Sequence, residues 1–409
     1  MMTIEQLRAQ FPILEEKVYG RQLIYLDNAA TSQRPLSVVE KWNQITLKSN
    51  ANLHRAVHKL AADATAEYEN ARQAAADFIG AADAHSIVFT SGATAALNLV
   101  AFCFGEACIK PGDQIIVSEE EHHSNIVPWQ LMAQRKGAVL KVLPVDDNGC
   151  LRVDMLDEML SSGKVRLLSV AHISNVLGIV NPVEEIIAKC HSYGCAVMVD
   201  GAQGIVHQKV DVTAMDCDFY AFSGHKLYAA PGTGVLYAKP EWLEAFPPYM
   251  GGGEMIETVR WSGTTFAKAP HKFEAGTQNI SGVPTLVPAF GIATQMREQS
   301  IETESVKVKD YIYGALRGDT RIRMFGCPEK PQDKIPLFSF CVQGVHHEDL
   351  ALILDKMGIA VRSGQMCAEP LMDRFGVTGM LRVSFAPYNT LEEAQQFITA
   401  LDKAINMLR

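Results

Sequence analysis

The sequence predicts an α/β fold: a doubly wound, mostly parallel sheet, followed by a smaller α+β part. Three observations carry this. From Ser86 onward short β-rich runs alternate with helical patterns. Those runs are continuously apolar, as strands covered by helices on both faces must be. The residues with distinctive chemistry fall at the carboxyl ends of the runs, where open α/β sheets hold their ligands.

The predicted strands are Ile87-Val-Phe89, Gln114 to Val117, Val139 to Leu143, Arg166 to Val170, Ala196 to Val199 and Phe219 to Phe222. Between Phe246 and Gly282 the pattern breaks into Pro247-Pro248, Gly251-Gly-Gly253 and scattered polar residues, which reads as a long functional loop region. Helical patterning from Glu302 to Arg317 then leads to a strand at Leu337 to Cys341 and a helix near Glu348 to Lys356. Further runs follow at Ile359 to Val361 and Leu381 to Phe385. The last helix opens on Thr390-Leu-Glu-Glu393, the spacing of a capping box, and its apolar face repeats to Leu408. The expected division is a large domain over 15–295 and a small one formed by 1–14 and 296–409.

Composition narrows the function. With 409 residues and 48% apolar content the chain buries a substantial core. A net charge of −9 without a basic run excludes nucleic acid and anionic membrane surfaces as partners. No apolar run approaches the roughly 20 residues that span a bilayer, and no cleavable leader pattern opens the chain, so a cytoplasmic protein is expected. Nine cysteines without a Cys-x-x-Cys pair read as reduced thiols. Cys103, Cys108, Cys190 and Cys195 lie in or beside apolar segments without a histidine at zinc-ligand spacing. They read as packing thiols, and no metal is expected.

Val197-Met-Val-Asp200 places a carboxylate at a strand end, and Ser223-Gly-His225-Lys226 places an amine just beyond the next strand. That pairing suits a pyridine aldehyde: lysine forms a Schiff base with it, and an aspartate opposite the ring nitrogen keeps that nitrogen protonated. The expected cofactor is pyridoxal 5′-phosphate. Ser91-Gly-Ala93-Thr94 lies between a strand and a helix start, where backbone amides and the Thr94 hydroxyl make an anion site; Ser223 and His225 add donors. Of the two histidines in Glu119-Glu-Glu-His122-His123-Ser-Asn, one can stack on a pyridine and move protons, while His122 reads as a solvated helix-start residue. Asn175 and Gln203 follow strands and can hydrogen-bond the ring oxygen. Cys367 sits in a loop marked by Gly364 and Pro370, close to Arg362, a setting that favours a reactive thiolate. Arg382 can form a bidentate pair with a substrate carboxylate.

With those residues assembled, the chain resembles the pyridoxal phosphate-dependent cysteine desulfurases of the class V aminotransferase superfamily, fold type I, over nearly its full length. The resemblance runs through Tyr25-Leu-Asp-Asn-Ala-Ala-Thr31, Asn52-Leu-His54-Arg55, Glu121-His-His-Ser-Asn125, Val199-Asp-Gly-Ala-Gln203, Ser223-Gly-His-Lys226, Glu274-Ala-Gly-Thr277 and Arg362-x-Gly-x-x-Cys367-Ala. The last motif looks like the SufS-like group, which includes selenocysteine lyases and cysteine sulfinate desulfinases. The resemblance implies that Lys226 carries the cofactor and acts as the base. It places Asp200 at the ring nitrogen, His123 on the ring face and Gln203 at the ring oxygen. Ala93, Thr94, Ser223 and His225 would hold the phosphate, joined by Thr277 from a second subunit of a homodimer. Arg382, Asn175, Arg362 and His54 would bind the L-cysteine substrate. Cys367 would take the sulfur as a persulfide, release alanine, and pass the sulfur to a SufE- or SufU-type acceptor for iron–sulfur cluster assembly. Rival expectations are a selenocysteine lyase or sulfinate desulfinase, a class V aminotransferase, and a non-catalytic scaffold.

The chain departs from the family pattern at three places. Met366 stands where the group usually has histidine before the cysteine, which would leave Cys367 less acidic. Ser91-Gly-Ala-Thr94 replaces a commoner Arg-Gly-Thr-Thr, weakening the phosphate site. Tyr228-Ala-Ala-Pro-Gly232 rearranges a Gly-Pro pair that normally follows the lysine.

Overall fold

The computed structural model describes residues 2–55 and 57–409. Seven strands form the main sheet: β1 (Ile87–Thr90), β2 (Gln114–Ser118), β3 (Val139–Leu143), β4 (Val165–Ala171), β5 (Ala196–Asp200), β6 (Phe219–Ser223) and β7 (Gly234–Ala238). Their spatial order is β1-β7-β6-β5-β4-β2-β3. The pairs among β2 to β6 are all parallel, and β7 runs antiparallel to both neighbours.

Alternation along the strands shows why apolar runs were needed. Val88, Ile115, Leu167, Met198, Phe219 and Leu236 face one core, shared with the buried side of helix α1 (Ala93–Cys108). Their neighbours Ile87, Ile116, Leu168, Val197, Tyr220 and Val235 face the other, covered by helices Lys59–Phe78 and Val183–Ser192. Each such side chain, fully buried, contributes roughly 1.5–3 kcal/mol. At the sheet edge, β3 exposes Val139 and Val142 but carries Lys141, a charge that discourages edge-to-edge pairing.

Strand β7 was not anticipated. It follows directly on the turn Pro231-Gly232-Thr233, so no helical pattern separates it from β6. Its first residue must be glycine, because a Cβ at Gly234 would collide with the backbone of Gly92. The connection between β6 and β7 is the segment that carries Lys226.

The second sheet is antiparallel: β8 (Ile322–Phe325), β9 (Leu337–Val342), β10 (Arg362–Gly364) and β11 (Met380–Ser384), ordered β8-β9-β11-β10. Helices α2 (Gln299–Gly318), α3 (His347–Lys356) and α4 (Leu391–Leu408) cover it, with Val308, Ile312, Leu350, Leu354, Phe397 and Leu401 in one core. Thr390 caps α4 as its spacing predicts: its hydroxyl accepts from Glu393 N at 3.1 Å, and the Glu393 carboxylate accepts from Thr390 N at 3.1 Å. Ile24–Tyr25 pairs in parallel with Ile359–Ala360, so an N-terminal segment supplies a strand to this smaller part and carries Asp27 with it.

The region read as irregular between Phe246 and Gly282 contains an exposed hairpin, Ile256–Arg260 with Gly263–Phe266. Its strands have no buried face, so they leave no apolar alternation to detect. Among the described residues no helix is long and apolar enough to cross a membrane.

Candidate active site

The carboxyl ends of the parallel strands open into a cavity of about 270 Å3, near the lower end of the roughly 300–1,000 Å3 typical of ligand pockets. Asp200, the last residue of β5, is 7% exposed and accepts one hydrogen bond, from Ala202 N at 2.9 Å. Burial raises its pKa; the charge of Lys226 works in the other direction. Lys226 ends the short turn Gly224–Lys226 that leaves β6, and burial lowers its pKa against the pull of Asp200. A lysine held toward its neutral form is a competent nucleophile and base.

Two carboxyls behind Asp200 escaped the sequence reading of roles. Glu121 accepts from Ala171 N at 2.7 Å, from Asn125 Nδ2 at 2.7 Å, and shares a short hydrogen bond with Ser118. Burial first, then the charge of Asp200, push it up to about 8, and burial pushes Glu120 up to about 7. The signal available in sequence was a Glu-Glu pair directly after an apolar strand.

At the other end of the cavity lies the start of α1. Ala93 N donates to Ser223 Oγ at 2.8 Å, the Thr94 and Ser124 hydroxyls are 2.7 Å apart, and His225 Nδ1 lies 3.2 Å from Thr31 Oγ1. Gly92 caps the helix at φ +154° with no side-chain cap, and a Cβ there would crowd Ser223 Oγ at 3.2 Å. An uncapped helix N-terminus ringed by hydroxyls is an anion site. Burial lowers His225 to about 4, with the charges of Lys226 and Arg34 adding to the effect. Gln203, 2% exposed, lines the cavity while donating to Ala29 O at 2.8 Å. A pyridine aldehyde phosphate fits this set: a carboxylate with acceptor capacity to spare, an amine, and an anion cradle share one cavity.

The two histidines stand in the turn that follows β2. His122, read as solvated, lines the cavity; burial lowers it to about 4, with Lys226 adding to the effect. Its Nδ1 accepts from Ser124 N at 3.1 Å. His123, read as the ring-stacking residue, stands next to His122, the two ring centroids 6.3 Å apart. Its Nε2 accepts from Glu369 N at 3.1 Å and its backbone N–H donates to Cys367 O at 2.7 Å. His122 is the extended residue that caps the short turn His123–Asn125.

The opposite wall comes from the smaller part. Arg382 on β11 is 3% exposed; Nη1 donates to Asn175 O at 2.8 Å and Nη2 to Asp27 Oδ1 at 3.1 Å, while its buried Nε has no partner. Asp27 also takes Arg362 Nη2 at 2.8 Å, so one carboxylate orients two guanidiniums that line the cavity. Sequence reasoning gave Asp27 no role, although it stands within the first quoted motif.

Cys367 lines the same cavity and is the one exposed cysteine of the nine; all nine are free thiols. Met366 and Cys367 have φ of 51° and 55°, left-handed values that cost ordinary residues roughly 1–2 kcal/mol each. The surroundings hold them there. Met366 is buried against Val145, Val176, Leu177 and Phe375, and its carbonyl accepts from Asn175 Nδ2 at 3.0 Å. The thioether before the cysteine is therefore a packing anchor.

Two expected residues stand outside the cavity. Thr277 is exposed and does not line it. His54, at φ 65°, folds back on the helix Lys59–Phe78, its N–H donating to Thr65 Oγ1 at 2.9 Å and its ring 3.6 Å from Glu69. Within a single chain neither reaches the site. His54, Glu69 and His271 group their ligand atoms within 4.8 Å of one another. Both Glu69 oxygens, however, are engaged by the buried Arg72 guanidinium, at 2.8 and 3.2 Å, and that charge opposes a cation.

Comparison with known proteins identifies the family. The aminotransferase class-V family model matches residues 24–397. A Vibrio cholerae protein named "Probable cysteine desulfurase" is 45% identical over 408 residues, covering 100% of both chains, and a Dickeya dadantii "Cysteine desulfurase" is 43% identical, covering 99% and 97%. Among solved structures, the cysteine desulfurase CsdA of Escherichia coli superimposes with a TM-score of 0.91 at 42% identity, covering 100% of both chains. An apo cysteine desulfurase of Thermococcus onnurineus gives 0.93 at 36%, covering 100% and 99%. Matched along nearly its whole length by that model and by these relatives, the chain belongs to the aminotransferase class-V family of pyridoxal phosphate-dependent enzymes.

Proposed function

We propose that the protein is a cysteine desulfurase that moves the sulfur of L-cysteine onto Cys367 and releases L-alanine. The observation that carries this reading is the position of the single exposed thiol on the same cavity as the buried Lys226 and Asp200. Pyridoxal phosphate, when bound, supplies an electron sink for bonds at the substrate's α- and β-carbons. Lys226 would hold its aldehyde carbon and Asp200 its ring nitrogen, with His123 against the ring. Gln203 would meet the ring oxygen, and Ala93, Thr94, Ser223 and His225 the phosphate.

The chain's own groups account for the rest. Arg382, kept charged by Asp27, binds the substrate carboxylate with Arg362 and Asn175 beside it. Lys226, its pKa depressed, takes the α-proton as a general base. Cys367 attacks the substrate sulfur as a thiolate: an S–S bond forms, the C–S bond breaks with its electron pair going to carbon, and protonation completes alanine. The sum is L-cysteine plus enzyme thiol giving L-alanine plus enzyme persulfide.

The exposure of Cys367 suits delivery to a protein acceptor of SufE or SufU type, and thence to iron–sulfur cluster assembly. A homodimer would let Thr277 and His54 reach a partner's cavity. The proposed division is a large domain over 15–295 and a small one from 1–14 and 296–409, although Leu7, Phe11 and Leu14 pack into the main core and Ile24–Tyr25 pairs with the smaller part; nine free thiols suit a reducing cytoplasm. The test is Cys367→Ala in the holoenzyme, with L-cysteine and a reductant. Alanine formation should fall by roughly 100-fold or more while the cofactor's visible absorption is retained. Full turnover would refute the assignment.

A further inference from the structure

Ser124 lines the cavity beside the residues that would hold the phosphate. Its hydroxyl oxygen lies 2.7 Å from that of Thr94, the second residue of α1, although the two stand on separate segments. The turn after β2 fixes Ser124 firmly. Its N–H donates to His122 Nδ1 at 3.1 Å, and the next residue, Asn125, is fully buried. The Asn125 amide donates to Glu121 Oε2 at 2.7 Å, while its oxygen accepts from Trp129 Nε1 at 2.9 Å and from Ser169 Oγ at 2.6 Å. Two hydroxyls own two protons and a contact between them uses one, so one O–H remains to donate at a helix start that has no side-chain cap. Ala93 offers only a methyl group where the commoner pattern carries threonine, and its N–H is already given to Ser223 Oγ at 2.8 Å.

We propose that Ser124 is a further ligand of the cofactor's phosphate, its hydroxyl standing in for the one that Ala93 lacks. The inference rests on the placement of the phosphate at the start of α1 and deepens it. Hydrogen bonds to a charged acceptor are roughly twice as strong as neutral ones, so one donor more or less is measurable. Because Asn125 locks the turn, the hydroxyl is held in place before the anion arrives, and little ordering opposes binding.

The experiment uses the full-length protein, stripped of its cofactor with hydroxylamine and titrated back with pyridoxal phosphate or with pyridoxal, which has no phosphate. Ser124→Ala should weaken pyridoxal phosphate by roughly 10- to 100-fold and leave pyridoxal unchanged. Ser124→Ala combined with Ala93→Thr should bind pyridoxal phosphate as the parent does. Unchanged affinity in Ser124→Ala, equal losses for the two ligands, or a double variant no tighter than Ser124→Ala would each overturn the proposal. Thr94→Val separates its failure from that of the placement beneath it. If Thr94→Val leaves the ratio of the two affinities unmoved, the phosphate does not sit at the start of α1, and the role of Ser124 falls with it.

Discussion

Asp27→Asn tests how the carboxylate-binding wall is held. Asp27 sits 3.1 Å from Arg382 Nη2 and 2.8 Å from Arg362 Nη2. The Arg382 side chain is 4% exposed and that of Asp27 14%, so this is a nearly buried pair; the Arg362 side chain, at 46%, is solvated. Removing one partner of a buried pair costs about 3–5 kcal/mol, because the other charge is left uncompensated. An exposed pair adds about 0–1 kcal/mol. Asparagine keeps a hydrogen-bond acceptor, and Asn175 O still takes Arg382 Nη1, so the net loss in the ligand-free holoenzyme should be about 2–4 kcal/mol. An anionic ligand then becomes the missing counter-charge. L-alanine, the expected product, should stabilise Asp27→Asn more than it stabilises the parent, read as a larger rise in thermal midpoint at equal ligand. Equal shifts together with unchanged ligand-free stability would show that Asp27 does not neutralise Arg382.

Two further outcomes follow from the buried groups. Glu121, held near 8 against an ordinary carboxylate value of 4.5, binds a proton in the folded state that the unfolded chain has already released between those values. Its contribution is complete below about pH 4.5 and is lost as pH rises through about 8, so Glu121→Gln should flatten the fall in stability over that window in denaturant titrations. An identical pH slope in parent and variant would contradict a neutral Glu121. His123→Ala should displace the cofactor's visible absorption band and lower kcat on both L-cysteine and L-cysteine sulfinate by roughly 100-fold; an unmoved band with unchanged kcat would take the ring contact away from His123.

The sheet was readable because burial on both faces forces unbroken apolar runs, and β1, β2, β4, β5 and β6 have them. Strand β7 escaped because it follows the lysine turn directly, and the exposed hairpin escaped because no side of it is buried. Asp200, Lys226 and Cys367 were identifiable because each lies in a contiguous motif whose chemistry is unusual. Asp27 was not, since its partner Arg382 stands 355 residues away and only the folded chain joins them. Choosing between His122 and His123 requires the direction of each side chain in a tight turn, which spacing alone does not supply. His54 and Thr277 lie outside the cavity of the single chain, which the local sequence around each gives no way to tell.

The central claim is that Cys367 accepts the substrate's sulfur, and mass spectrometry of the protein after one turnover without reductant tests it most directly. The account predicts one added sulfur atom on the peptide containing Cys367 and an equal amount of L-alanine. Alanine released with Cys367 unmodified, or sulfur found on another of the nine cysteines, would contradict it.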